Sequence, residues 1–344
     1  MLVPALKDRP QSSFIRSIRL SVNTLKMRLI LHRRWLILGL SLALTTLTLY
    51  FVFRGIDRPM FERLITTQNP TLLIAAALLN LLQIGLGGVR WGTILLSMCK
   101  AGAPRLRNVQ AVFYASIFFN YLPVGTVGGD VARILLARRF PLSMREIVLS
   151  VLLDRILVVS ALVILAALTL PSIAQPLAVR ASIGCAAILL TCAVGFLLLR
   201  PIERIAGRWR DVWLIASILR TAEELRHTTR RVGLLALFYA LLAAAAGSSS
   251  AYCVALSLGI DVGVTAMIAI MSFVAFATAL PISLAGWGVR EVSLVSLLGL
   301  LGVDREAALI VSVEFGIICT LMSLPGGVIW LALRDKSALA HPAK

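Results

Sequence analysis

Two short segments concentrate the residues of this chain that can hold an anion. The first, NYLPVGTVGGD, starts at Asn120 and sets Pro123, Gly128, Gly129 and Asp130 ahead of Arg133. The second, PISLAGWGVRE, sets Pro281, Gly286 and Gly288 ahead of the adjacent Arg290 and Glu291. Both read as a proline, then glycines at +5 and +6 or +7, then an arginine at +10 or +9. Glycine permits close backbone approach, and helices starting just after Gly129 and Gly288 would offer free N–H groups to an anion. Arginine adds a planar fork that matches phosphate. These parts best suit an anionic head group, most economically a phosphate. Asp154, Arg155 and Glu314 form a second layer of ionisable residues. The Asp154–Arg155 pair reads either as part of the site or as a neutral pair that holds helices in register. Asp130, Glu291 or Glu314 can carry a coupling proton or merely offset the arginines, and both readings stand. Arg90 and Trp91 are weaker candidates, placed where a long side chain snorkels to the membrane surface.

The elements that position these groups are membrane helices. Of 344 residues 59% are hydrophobic and only 15% charged, too few for a water-facing surface. Runs of about 18 to 27 apolar residues match the hydrocarbon core of a bilayer. A disordered chain, a disulfide-framed secreted module and an ordinary cytosolic enzyme are excluded. The formal charge of +18, from 34 Lys and Arg against 16 acids, lies mostly between the apolar runs. There it sets orientation and attracts anionic lipid, and no nucleic-acid motif accompanies it. The five cysteines and three histidines lack metal or catalytic spacing, so no metal, no cofactor and no self-contained enzyme centre is expected.

Six runs are long enough to span: Trp35 to Phe53, Thr71 to Met98, Ile147 to Leu170, Ala181 to Leu199, Gly233 to Leu258 and Ala307 to Leu333. The shorter stretches 109–137 and 262–301 are each broken by one glycine-rich tip. With Arg105 and Arg107 before the first and Arg138 and Arg139 after it, both its ends belong on one side, which a re-entrant hairpin satisfies. The expected fold is therefore an all-α polytopic membrane protein of about six spanning helices plus two re-entrant helical hairpins. Two interrupted helices entering from opposite sides are the mark of an inverted repeat with its site near the midplane. Residues 1–34 form a basic, partly amphipathic cytoplasmic segment, with eight Lys or Arg against one acid. Residues 35–333 form the transmembrane domain, within which 200–232 is a basic cytoplasmic loop with eight arginines and four acids. Residues 334–344 form a cytoplasmic tail. Both termini are thus expected in the cytoplasm, and the location that goes with this is a bacterial inner membrane.

NYLPVGTVGGDVAR, the later LPISLAGWGVRE and the Asp154–Arg155 pair between them resemble the transmembrane domain of the lysylphosphatidylglycerol synthase, or flippase-like, family. The likeness covers the chain from about residue 35. It implies that the residues of both tips bind substrate and that the chain moves an anionic or prenyl-linked lipid between leaflets. The alternative it leaves is an accessory subunit that holds lipid for a lipid or glycan biosynthesis enzyme, or such an enzyme itself. About ten residues follow Arg334, which leaves no room for the aminoacyl-transferring domain and points away from lysine transfer. Glu314 departs from the pattern, which leads one to expect arginine there.

Overall fold

A computed structural model of the protein describes residues 66, 68–99, 102–121, 126–169, 213–279 and 287–340. These form eight helices and no strand: α1 (Pro70–Met98), α2 (Leu106–Asn120), α3 (Thr126–Ala137), α4 (Met144–Thr169), α5 (Trp213–Ser257), α6 (Val264–Ala279), α7 (Val289–Gly299) and α8 (Arg305–Ala340). The chain is a polytopic helical membrane protein. Four stretches are long and apolar enough to cross a bilayer: Pro70–Met98, Met144–Thr169, Val232–Ser257 and Arg305–Arg334. They coincide with four of the six expected spans. The other two, Trp35 to Phe53 and Ala181 to Leu199, lie outside the described residues, as do the segment 1–34 and the last four residues of the tail.

Local chemistry explains where these helices begin. Asn69 caps α1, its Oδ1 accepting from the Thr71 N–H at 3.0 Å, and Pro70 follows at the first helical position. Ser143 and Glu146 form a reciprocal capping box at α4: the Ser143 hydroxyl accepts from the Glu146 N–H, and the Glu146 carboxylate accepts from the Ser143 N–H. Between α5 and α6, Gly259 and Gly263 take φ of +74° and +77°. In that turn the Gly263 N–H and then the Tyr252 hydroxyl hold the Asp261 carboxyl below the ordinary carboxylate range. Within the expected 200–232 segment the backbone is helical from Trp213 onward. No glycine or proline interrupts residues 213–232, so nothing stops the helix before it reaches the bilayer.

The eight helices repeat one pattern: long, short, short, long, then the same again. At 15, 12, 16 and 11 residues, α2, α3, α6 and α7 are too short to span a bilayer. Packing follows the same division. α2 folds back on α3 and lies on α8 of the other half, while α6 folds back on α7 and lies on α4. The long helices α1 and α5 run antiparallel along each other. Asn69 N–H donates to the Ser257 carbonyl, the Ser250 hydroxyl donates to the Ala76 carbonyl, and Gln83 rests on Gly247, so partner numbers fall as α1 advances. Antiparallel first helices, each leading into a short-helix pair that packs on the other half, are what an inverted pair of repeats requires.

Candidate functional site

All eight described helices line one cavity of about 340 Å³. α1 supplies Asn80, Gln83 and Arg90; α2 supplies Asn120; α3 supplies Arg133; α4 supplies Asp154 and Arg155. Gly247 and Ser248 of α5, Thr278 of α6, Arg290 of α7 and Cys319 of α8 complete the wall. Asn120 and Arg133 from the first motif and Arg290 from the second therefore border one space.

Asp154 is the hub of the first half. It is 1% exposed, and both its oxygens are occupied. Arg90 donates to Oδ1 through Nε at 2.6 Å and to Oδ2 through Nη2 at 3.2 Å, while Arg133 donates to Oδ2 through Nη1 at 2.8 Å. Arg133 also donates through Nε to the Ser116 hydroxyl, and its guanidinium sits 4.5 Å from the Phe113 ring centroid and 5.3 Å from that of Trp91. Beside this triad Arg155 grips Asp130 with two bonds of 2.9 and 2.7 Å at a more open position. In the second half Arg290 pairs with Glu291 at 2.7 Å and stacks 4.4 Å from the centroid of Trp287. Glu291, fully buried, also accepts from the Ser312 hydroxyl and from the Gly288 N–H.

Among the described residues four arginines meet three carboxylates around the cavity, which leaves one positive charge over. The excess lies in the triad, where two arginines share Asp154. Among the described residues no group bonds Nη1 of Arg90 or Nη2 of Arg133. A buried cation of this kind costs several kcal/mol unless an anion joins it.

Several sequence expectations change in detail. Arg90 does not snorkel: it is 7% exposed and bound to Asp154, and the fully buried Trp91 donates to the Ser150 hydroxyl. Asp154 and Arg155 do not pair with each other: Asp154 is taken by Arg90 and Arg133, and Arg155 by Asp130. Helix α3 starts at Thr126, so Gly128 and Gly129 lie inside its first turn and not ahead of it. Gly288 does end the second tip at φ +89°, yet its N–H is taken by Glu291 and is not open to an anion. Glu314 stands away from the cavity and accepts from the Gln68 side chain. Pro123, Pro281 and Gly286 lie outside the described residues. Sequence reading missed Asn80, Gln83, Tyr121 and Gly316. The first two had a signal, since Asn80, Gln83, Gly87 and Arg90 form one polar stripe at helical spacing in an apolar run. Gly316 had none; it is small because the Arg290 guanidinium occupies the place of its side chain.

Gly129 serves helix packing. A Cβ there would stand 2.7 Å from the Ser116 carbonyl oxygen and closer still to the Asn120 side chain. Backbone cannot rotate away, so Gly129→Val is expected to cost about 1–3 kcal/mol or more through overpacking. Gly85→Val, with nothing within 4 Å of the added Cβ, should be far milder. Thermal unfolding of both purified variants in detergent checks the pair, and equal midpoints would show that α2 and α3 are not held at this separation.

A sequence model of the lysylphosphatidylglycerol synthase TM region matches residues 36–327, and the chain belongs to that family. The resemblance carried by the two tips and the Asp154–Arg155 pair is thereby borne out. A function concerned with membrane lipid comes with the membership. No curated protein matches the chain.

Proposed function

We propose that this member of the lysylphosphatidylglycerol synthase transmembrane family seats the anionic head group of a membrane lipid between its two short-helix pairs and carries it from one leaflet to the other. The observation that carries the reading is the uncompensated positive charge of the Arg90–Asp154–Arg133 triad, facing a cavity to which both halves contribute. One phosphodiester supplies one negative charge and the oxygen acceptors that two guanidinium forks can use. In this reading α2–α3 and α6–α7 are re-entrant hairpins that dip in from opposite faces, and both chain termini lie in the cytoplasm of a bacterial inner membrane. Arg155 and Asp130, the more exposed pair, sit where a lipid enters. Their exchange of partners with a passing phosphate would open the way without leaving a charge bare.

The test is reconstitution of the purified chain into phosphatidylcholine liposomes with labelled lipids in the inner and outer leaflets. Exchange of anionic lipid above that of empty liposomes supports translocation. Binding without exchange overturns it in favour of a lipid-holding role beside a biosynthetic enzyme. The orientation has its own test. Single cysteines placed in a cysteine-free background at Arg105 and Arg139 should react with an impermeant reagent only from the cytoplasmic side, and at Asp261 and Asp304 only from outside. Labelling of Arg105 and Arg139 from opposite faces would rule out the first re-entrant hairpin.

A further inference from the structure

We infer that the cavity selects a lipid whose phosphate carries an uncharged, hydroxyl-bearing head group, and that Asn80 and Gln83 read it. The inference rests on the proposed binding of an anionic head group and adds the chemistry beyond the phosphate. Two observations bear it, one about what the wall lacks and one about what it holds.

Among the described residues the wall offers an ammonium no free carboxylate. Among the described lining residues the one carboxylate is Asp154, and both its oxygens are saturated by guanidinium groups. Asp130 and Glu291, just behind the wall, are each committed to an arginine, and Glu314 does not line the cavity. A lysyl, ethanolamine or choline head would bring a cation into a space that already holds one positive charge too many. Like charges in a poorly hydrated site repel strongly, so such heads are disfavoured.

What the wall does hold is an amide surface. Asn80 and Gln83 continue the face of α1 that carries Arg90, with Gln83 about two turns, or roughly 10 Å of rise, from the arginine. Asn80 is 3% exposed, and its Oδ1 is buried without a donor among the described residues. Its Nδ2 is engaged, donating to Gln83 Oε1 at 3.4 Å and to Cys319 Sγ at 3.2 Å. Gln83 lies flat on Gly247, where a Cβ would come within 2.5 Å of its Oε1. A buried acceptor left bare is costly, and a hydroxyl is the group that meets it: it donates to the Asn80 oxygen and accepts from a neighbouring amide. Glycerol, inositol or sugar esters of phosphate have this pattern; a methyl ester has the same charge without it.

Binding of the full chain to phosphatidylcholine nanodiscs doped with one test lipid at a time decides the matter. Phosphatidylglycerol and phosphatidylinositol should bind about tenfold more tightly than phosphatidylmethanol, as one to two net hydrogen bonds imply. Both should also exceed phosphatidylethanolamine and lysylphosphatidylglycerol. In Asn80→Leu and Gln83→Met the ratio of phosphatidylglycerol to phosphatidylmethanol should collapse towards one, and the binding of phosphatidylmethanol that remains shows that these variants are folded. Equal affinity of the unaltered protein for phosphatidylglycerol and phosphatidylmethanol overturns the inference and leaves the anionic-lipid reading standing. Tighter binding of either ammonium lipid overturns it as well. Failure of every anionic lipid to bind overturns the proposed function itself.

Discussion

Asp154→Asn should leave little folded protein. The substitution keeps the size of the side chain but removes the counter-charge of two guanidinium groups that are 7% and 2% exposed. Breaking a buried ion pair from one side costs about 3–5 kcal/mol, because the remaining charge keeps its desolvation penalty and loses its partner. Here two charges are stranded at once, against a total stability of about 5–15 kcal/mol for an ordinary domain. Monodisperse protein after extraction in mild detergent is the readout. Adding Arg90→Met to Asp154→Asn should recover part of the loss, since a single arginine then remains and keeps its Ser116 bond and its seat against the Phe113 ring. Arg155→Leu should be mild by comparison. Its partner Asp130 is 24% exposed at the side chain and Arg155 itself 36%, and ion pairs open to solvent contribute about 0–1 kcal/mol. An Asp154→Asn protein as abundant and as heat-stable as the parent would show that the triad does not hold α1, α3 and α4 together.

Four of the six spans were legible because crossing a bilayer demands long apolar runs, and nothing tertiary can override that demand. Broken helices were legible for the same reason. Pro123, the glycine pairs and Pro281 punctuate runs too short to span. What did not show was the partner of each charge. Asp154 and Arg155 are neighbours in sequence, as Arg290 and Glu291 are, but only the latter two pair; Asp154 goes to Arg90 and Arg133, and Arg155 to Asp130. Two of those three lie on α3 and one on α1, and only the packing of α1, α3 and α4 brings them together. The tip glycines were visible, but their work was not: Gly129 admits the Ser116 carbonyl of α2, and Gly288 turns the chain into a bond with Glu291. A small residue in a sequence marks a close approach without saying what approaches.

Arg133→Leu should abolish the handling of anionic lipid while leaving the protein folded, and it is the cleanest probe of the site. Once Arg133 is removed, Asp154 still has both oxygens on Arg90, so a neutral one-to-one pair replaces the positively charged triad. The leucine side chain enters a space lined by Phe113 and Trp91, which suits an apolar residue. What disappears is the excess charge and one charge-assisted hydrogen bond, worth about 1.5–3 kcal/mol, or about ten- to a hundredfold in affinity. Arg133→Lys should restore only a fraction, because an ammonium keeps the charge but cannot bridge Ser116, Asp154 and a phosphate through one planar fork. Arg290→Leu is less informative despite the likeness of the two tips. It strands Glu291, which is 0% exposed, with only the Gly288 N–H and the Ser312 hydroxyl, so instability would confound any loss of exchange. The measurement is leaflet exchange of labelled phosphatidylglycerol in liposomes at equal protein density, with the parent, Arg133→Leu and Arg133→Lys side by side. Full exchange by Arg133→Leu would mean that the triad's extra charge serves the protein's own packing and that the lipid passes elsewhere.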